Sequence, residues 1–200
     1  MTIEPAVAVV ARKQVSRRKL LDAARSLFIE RGYHDTRPQD IARAAGVGHG
    51  TFYLHFADKR ECFLAFVDEA ATELHDCVVL HTKDASDIEG YVRGVFEGCH
   101  AYNLAHPNVL AAALVDATVI GGGESATPLI DRWAHEWTER LEEMAEKGII
   151  SLKIDPRVVG HAIVGACHQG FVGGARDGLG FHELMDGIIA FTVNALERTS

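Results

Sequence analysis

Apolar residues recur along most of the chain at three- and four-residue spacing, the period of helices with one buried face. The first such stripe is Leu20, Leu21, Ala24, Leu27 and Phe28. It predicts a helix from Ser16, which can cap it, through Arg31, with Gly32 as C-terminal glycine. Residues 36–56, TRPQDIARAAGVGHGTFYLHF, predict two short helices joined by a tight turn. Thr36 and Gln39 have the spacing of a capping box, and Ile41, Ala42 and Ala45 give the first helix an apolar face. Gly46 can take the left-handed conformation of the turn. The second helix is expected from Gly48 to Leu54, with Val47 and Phe52 spaced as a hydrophobic staple. So short a helix cannot persist in water alone, so its exposed His49, Thr51, Tyr53 and His55 need a scaffold and a purpose.

Ala57–Asp58 opens a further helix to Leu80, with Phe63, Phe66, Val67, Ala70 and Leu74 inward. Five more are expected: from the capping pair Ser86 and Glu89, from Asn108 to Ile120 behind Pro107, and from Pro128 to Lys147. The last two run from Pro156 to Gly174 and from Phe181 to Leu196, with GGGES at 121–125 as a linker. Residues 1–15 lack a trusted period and are expected to be a mobile arm. The fold class is all-α, with a helix-turn-helix domain over 1–57 and a helical body over 58–200. In the helix from 156 to 174, Gly160, Ala162, Gly165, Ala166, Gly170, Gly173 and Gly174 are costly for helix propensity. Small residues permit close helix approach, either within one subunit or, paired with the last helix, across a two-fold axis.

Charge sharpens this picture. The net charge of −8 divides into +5 over residues 1–60 and −13 over residues 61–200. A basic block on an acidic body fits a chain that touches phosphate at one end. Cys62, Cys77, Cys99 and Cys167 show no CxxC spacing, which argues against a zinc finger or a disulfide framework. No apolar run reaches membrane-spanning length, and a cytoplasmic protein is expected.

The motifs LLDAARSLFIERGY (20–33), TRPQDIARAAGV (36–47) and GTFYLHFADK (50–59) occur in this order and spacing. From Arg18 to about Phe63 the chain thereby resembles the tetracycline-repressor (TetR) family of transcription regulators. The family usually has Ser or Thr where this chain has Gly48, and often Lys where it has His49. The resemblance implies a dimer that binds a palindromic double-stranded DNA operator and is released by a small-molecule effector. Carried onto this chain, the DNA-binding residues are Arg17, Arg18, Arg37, Gln39, Gly48, His49, Thr51, Tyr53, His55 and Lys59. His49, Thr51 and Gln39 would approach base edges, and Arg37 either bases or phosphate. Tyr53, His55, Lys59, Arg17 and Arg18 would position the protein on phosphates. The resemblance also raises a cavity lined by Phe96, His100, Tyr102, Leu110, Leu114, Trp133, Trp137, His168 and Phe171, a mostly apolar set with few polar groups.

Competing chemistry is weaker. Cys99–His100 and Cys167–His168 suggest a metal- or redox-gated alternative, but neighbours on a helix diverge by about 100° and chelate poorly. No HExxH, GxSxG or phosphate-loop motif occurs, so no catalytic residue, metal or cofactor is assigned and an enzyme is not expected. A helical carrier or enzyme on the same N-terminal fold is the remaining alternative.

Overall fold

The computed structural model describes residues 4–114 and 129–199. Among these, nine helices run in order: α1 (Glu4–Arg31), α2 (Pro38–Ala44), α3 (His49–Tyr53), α4 (Lys59–Thr82), α5 (Ile88–Ala105), α6 (Val109–Ala113), α7 (Leu129–Glu146), α8 (Pro156–Arg176) and α9 (Phe181–Thr199). The expected GGGES linker, the Thr127–Pro128 restart and the helix beyond Leu114 lie outside the described residues. Two compact units form, one from residues up to Thr72 together with the stretch after His106, the other from Glu73–Ala105 and the three last helices. Compactness divides the chain inside α4.

The first unit is built on α1. Leu20, Leu21, Ala24, Leu27 and Phe28 are all buried, as the stripe requires. Phe28 meets Phe63 of α4 edge to face, with ring centroids 5.1 Å apart. Buried rings of this kind stabilise by about 1.5–3 kcal/mol each. Helix α1 begins at Glu4, so the arm expected over residues 1–15 is helical from there on. Pro5 falls in the first turn, where its missing N–H costs nothing, and no glycine interrupts residues 4–31. This part of α1 buries no residue from Ala11 to Lys19, which is why no apolar stripe marks it. Ser16, expected as its cap, instead donates from Oγ to the Lys13 carbonyl within the helix.

The second unit packs α5, α7, α8 and α9 around Val92, Phe96, Trp137, Leu141, Met144, Ile163, Val164 and Ile189. Backbones meet closely where α5 passes α4, at Gly94 and Gly98, and where α8 passes α7, at Gly160. A Cβ on Gly98 would stand 2.8 Å from the Val78 Cα of α4, and one on Gly160 would stand 2.5 Å from the Ala134 carbonyl oxygen of α7. The small residues of α8 thus serve two ends. Gly160, Gly170 and Gly174 face α7 and α9 of the same chain, whereas Gly165 has nothing within 4 Å of its Cβ position. Ala162 and Ala166 are exposed beside it.

One cap differs from expectation, and another stands where the helix was expected to open. Asp87, not Ser86, caps α5, its carboxylate accepting from the Gly90 N–H at 2.7 Å. Asp58 caps α4 by accepting from the Glu61 N–H at 2.8 Å, and Glu61 accepts from the Ala57 N–H in return. Among the described residues, no helix is long and apolar enough to cross a membrane.

Candidate nucleic-acid interface

Helices α2 and α3 are joined through Gly46, whose φ of +67° only glycine adopts without strain. Ile41 and Ala42 of α2 and Phe52 of α3 are buried against α1, as is Phe56 just beyond. The short α3 is held by these contacts, since Gly48 caps it in extended conformation without a side-chain bond.

The Thr36 capping box does not form. Pro38 begins α2, and the residue before a proline is driven to extended geometry. Arg37 therefore becomes the cap, at φ −116° and ψ 149°. Thr36, one residue farther back, turns its hydroxyl to α1 and donates to the Gly32 carbonyl at 2.7 Å. At 1% exposure it is a buried tie between α1 and α2.

The ten expected DNA contacts separate into two groups. Arg37, Gln39, Gly48, His49 and Tyr53 are exposed and Thr51 is half-buried, so one surface carries α3 and the start of α2. His49 and Tyr53, one turn apart, stand edge to face at 5.2 Å. Arg17 is also exposed, its guanidinium 5.1 Å from the Phe56 ring centroid. The other three are engaged inside the unit. Arg18 pairs with Glu69 of α4 and, at 2.8 Å, with Asp22, which raises its pKa. Lys59 donates to the Tyr33 carbonyl at 2.7 Å and to that of His34 at 3.3 Å, and burial lowers its pKa. The Nε2 of His55 lies 2.7 Å from Ser16 Oγ, while its Nδ1 is buried without a partner among the described residues. Burial first, then Lys13 and Arg17, lower the His55 pKa. Each of these three has a partner 25 to 51 positions distant in the chain. Sequence reading also missed Leu54, 71% exposed at the end of α3.

The expected cavity residues are divided. Phe96, Trp133, Trp137 and Phe171 belong to the core of the second unit, with Phe96 and Phe171 centroids 5.9 Å apart. His100 stacks on Phe181 at 3.9 Å, His168 is half-buried, and the Tyr102 hydroxyl donates to Glu73 at 2.8 Å. Leu110 and Leu114 belong to the first unit. Tyr91, absent from the expected set, meets Trp137 edge to face at 5.4 Å. The gating alternative finds no support: burial pushes the Cys99 thiol up to about 12, and the Cys167 Sγ lies 3.8 Å from Thr192 Oγ1. Among the described residues, no three His, Cys, Asp or Glu side chains are arranged to hold a metal ion.

Residues 20–66 match the model of bacterial regulatory proteins of the tetR family. The A-factor receptor protein of Streptomyces griseus is 29% identical over 150 residues, 74% of this chain and 50% of that protein. The transcriptional repressor KstR2 of Rhodococcus jostii is 33% identical over 97 residues, 46% of this chain and 48% of its own. The chain spans about half the length of these curated relatives. Beyond the matched segment the fold agrees with the fatty acid degradation regulator FadR of Bacillus halodurans, at TM-score 0.70 and 21% identity over 88% of this chain and 93% of that one. Over residues 20–66 the chain is similar to the bacterial regulatory proteins of the tetR family, and over most of its length it shares the all-helical fold of FadR.

Proposed function

We propose that the chain is a ligand-responsive transcriptional regulator, a repressor that binds a palindromic operator as a homodimer. The observation that carries this reading is the exposed surface of Arg37, Gln39, Gly48, His49 and Tyr53 on helices whose opposite faces are buried. An α3 held rigidly from behind can enter a major groove, where His49, Thr51 and Gln39 address base edges and Tyr53, Arg37 and the Gly48 backbone meet phosphate. His55 ties the end of α3 to α1 through Ser16, Arg18 ties α1 to α4 through Glu69, and Lys59 ties the start of α4 to the turn after α1.

A palindrome needs two copies. The exposed small and apolar residues Val158, Ala162, Gly165 and Ala166 of α8, with Gly187, Ala190 and Phe191 of α9, support pairing through these helices. The aromatic second unit around Phe96, Trp137 and Phe171 supports an apolar effector.

Binding of the purified protein to DNA immediately upstream of its own coding sequence tests the reading. Tight binding to a palindrome that weakens steeply with salt is expected. Tyr53→Ala should weaken it about tenfold or more, the equivalent of about 1.4 kcal/mol, without lowering Tm. An unchanged operator affinity in that variant removes α3 from the role. Absence of binding at low salt by the folded dimer removes the regulator.

A further inference from the structure

The N-terminal half of α1 is a helix without a buried face. Ala11 to Lys19 are exposed but for half-buried Ser16, and Val15 is 58% exposed. Four cations lie here: Arg12, Lys13, Arg17 and Lys19. At about 100° per residue they fall within one half of the helix circumference, together with Ser16. Arg18 lies outside that half and is neutralised by Asp22 and Glu69. Among the described residues, Arg12, Lys13, Arg17 and Lys19 form no ion pair at all. The helix thus turns its paired arginine toward α4 and its four unpaired cations outward.

This basic ridge adjoins the end of α3. Ser16 Oγ lies 2.7 Å from His55 Nε2, and the Arg17 guanidinium covers the Phe56 ring. Lys13 and Arg17 are near enough to His55 to help lower its pKa. Four like charges on one exposed helical face repel one another, and like-charge pairs one turn apart are destabilising. An anionic partner with regularly spaced charges removes that cost. Duplex DNA carries one negative charge per about 1.7 Å of axis, which an exposed helix of this kind can follow along one strand.

We propose that Arg12, Lys13, Arg17 and Lys19 on α1 form a second, sequence-independent contact to the phosphates of the duplex whose groove α3 enters. This rests on the regulator reading and adds to it a stretch of chain outside the helix-turn-helix. The ridge contributes affinity and salt dependence, and α3 contributes discrimination.

The test compares the full-length protein with R12A/K13A on two probes across a salt series: the upstream duplex and a scrambled duplex of the same length. Neither side chain has a folded-state partner among the described residues, and helix content by circular dichroism checks the fold. R12K/K13R, which keeps both charges, serves as the conservative control. The expected result is a log–log salt slope shallower by about 1.8 on both probes, two phosphates at about 0.9 each, with the ratio of the two affinities unchanged. The control should keep the wild-type slope. An unchanged slope in R12A/K13A, with wild-type binding intact, overturns the ridge and leaves the regulator standing. Loss of discrimination with the slope unchanged assigns these residues to base readout and also overturns it. A shift in oligomeric state without a change in slope assigns the ridge to a second copy of the chain. Failure of the wild-type protein to bind either duplex sinks both proposals.

Discussion

The ammonium of Lys59 stands 4.2 Å from the centroid of the Tyr33 ring while donating to the carbonyl oxygen of the same residue at 2.7 Å. One side chain at the start of α4 thus closes the turn that leaves α1. Lys59→Met should lower stability by about 1–2 kcal/mol, from lost carbonyl bonds and cation–π contact, read as a lower urea midpoint. A Lys59 that served phosphate alone would leave the midpoint unchanged and lower only the salt slope of DNA binding.

Thr36→Val keeps the shape of a side chain that is 1% exposed and removes its hydroxyl. The Gly32 and Leu27 carbonyls then lose a donor, and a cost of about 1–2 kcal/mol is expected. Thr36→Ser should recover most of it. Equal melting temperatures for all three proteins would contradict the tie between α1 and α2.

His55 makes the first unit sensitive to acid. Its folded pKa lies below the ordinary imidazole value of 6.5, because burial and then Lys13 and Arg17 disfavour the cation. The unfolded chain therefore binds the proton more readily, and stability rises with pH through this window. The contribution is fully present above about pH 6.5 and is lost as pH falls through the lower folded value. Protonation would also place a proton on the buried Nδ1, which has no partner among the described residues. His55→Gln should flatten that part of a Tm-against-pH curve. A variant with the wild-type curve would rule His55 out as its source.

Two glycines of the second unit predict opposite signs. Gly98→Ala drives a Cβ to 2.8 Å from the α4 backbone and should cost about 2 kcal/mol or more by overpacking. Gly165→Ala meets nothing within 4 Å and should gain up to about 1 kcal/mol of helix propensity in an isolated chain. Gly165→Arg should convert a dimer to monomers by sedimentation. A Gly165→Arg protein that remains dimeric would move the interface away from this face of α8.

Much of the core was legible because burial follows period. Leu20 to Phe28, Phe63 to Leu74, and Leu129, Trp137, Leu141 and Met144 all lie inside as their spacing requires. Gly32, Gly46 and Gly148 take the positive φ values their positions at helix ends suggest. What escaped reading was the partner of each polar group. Nothing near Arg18 in sequence announces Glu69, and nothing near His55 announces Ser16. Such pairs are set by which helix faces meet, a tertiary fact. Thr36 failed for a local reason: Pro38 set the start of α2 and moved the cap by one residue. The helical start of α1 escaped because an element that buries nothing needs no stripe.

The first unit draws on two separated stretches of chain, with α6 packed on α1. During synthesis, α1 through the first half of α4 leave the ribosome before Leu110 and Ala113 do. At about 5–20 residues per second, the interval from Thr72 to Ala113 lasts roughly 2–8 s. For that time the nascent chain presents the apolar surface that α6 will cover, while its cationic start is already outside the ribosome. The folding of this end is therefore finished by residues made after α5, and a gene fragment ending at Ala57 would encode a chain that lacks both α4 and α6.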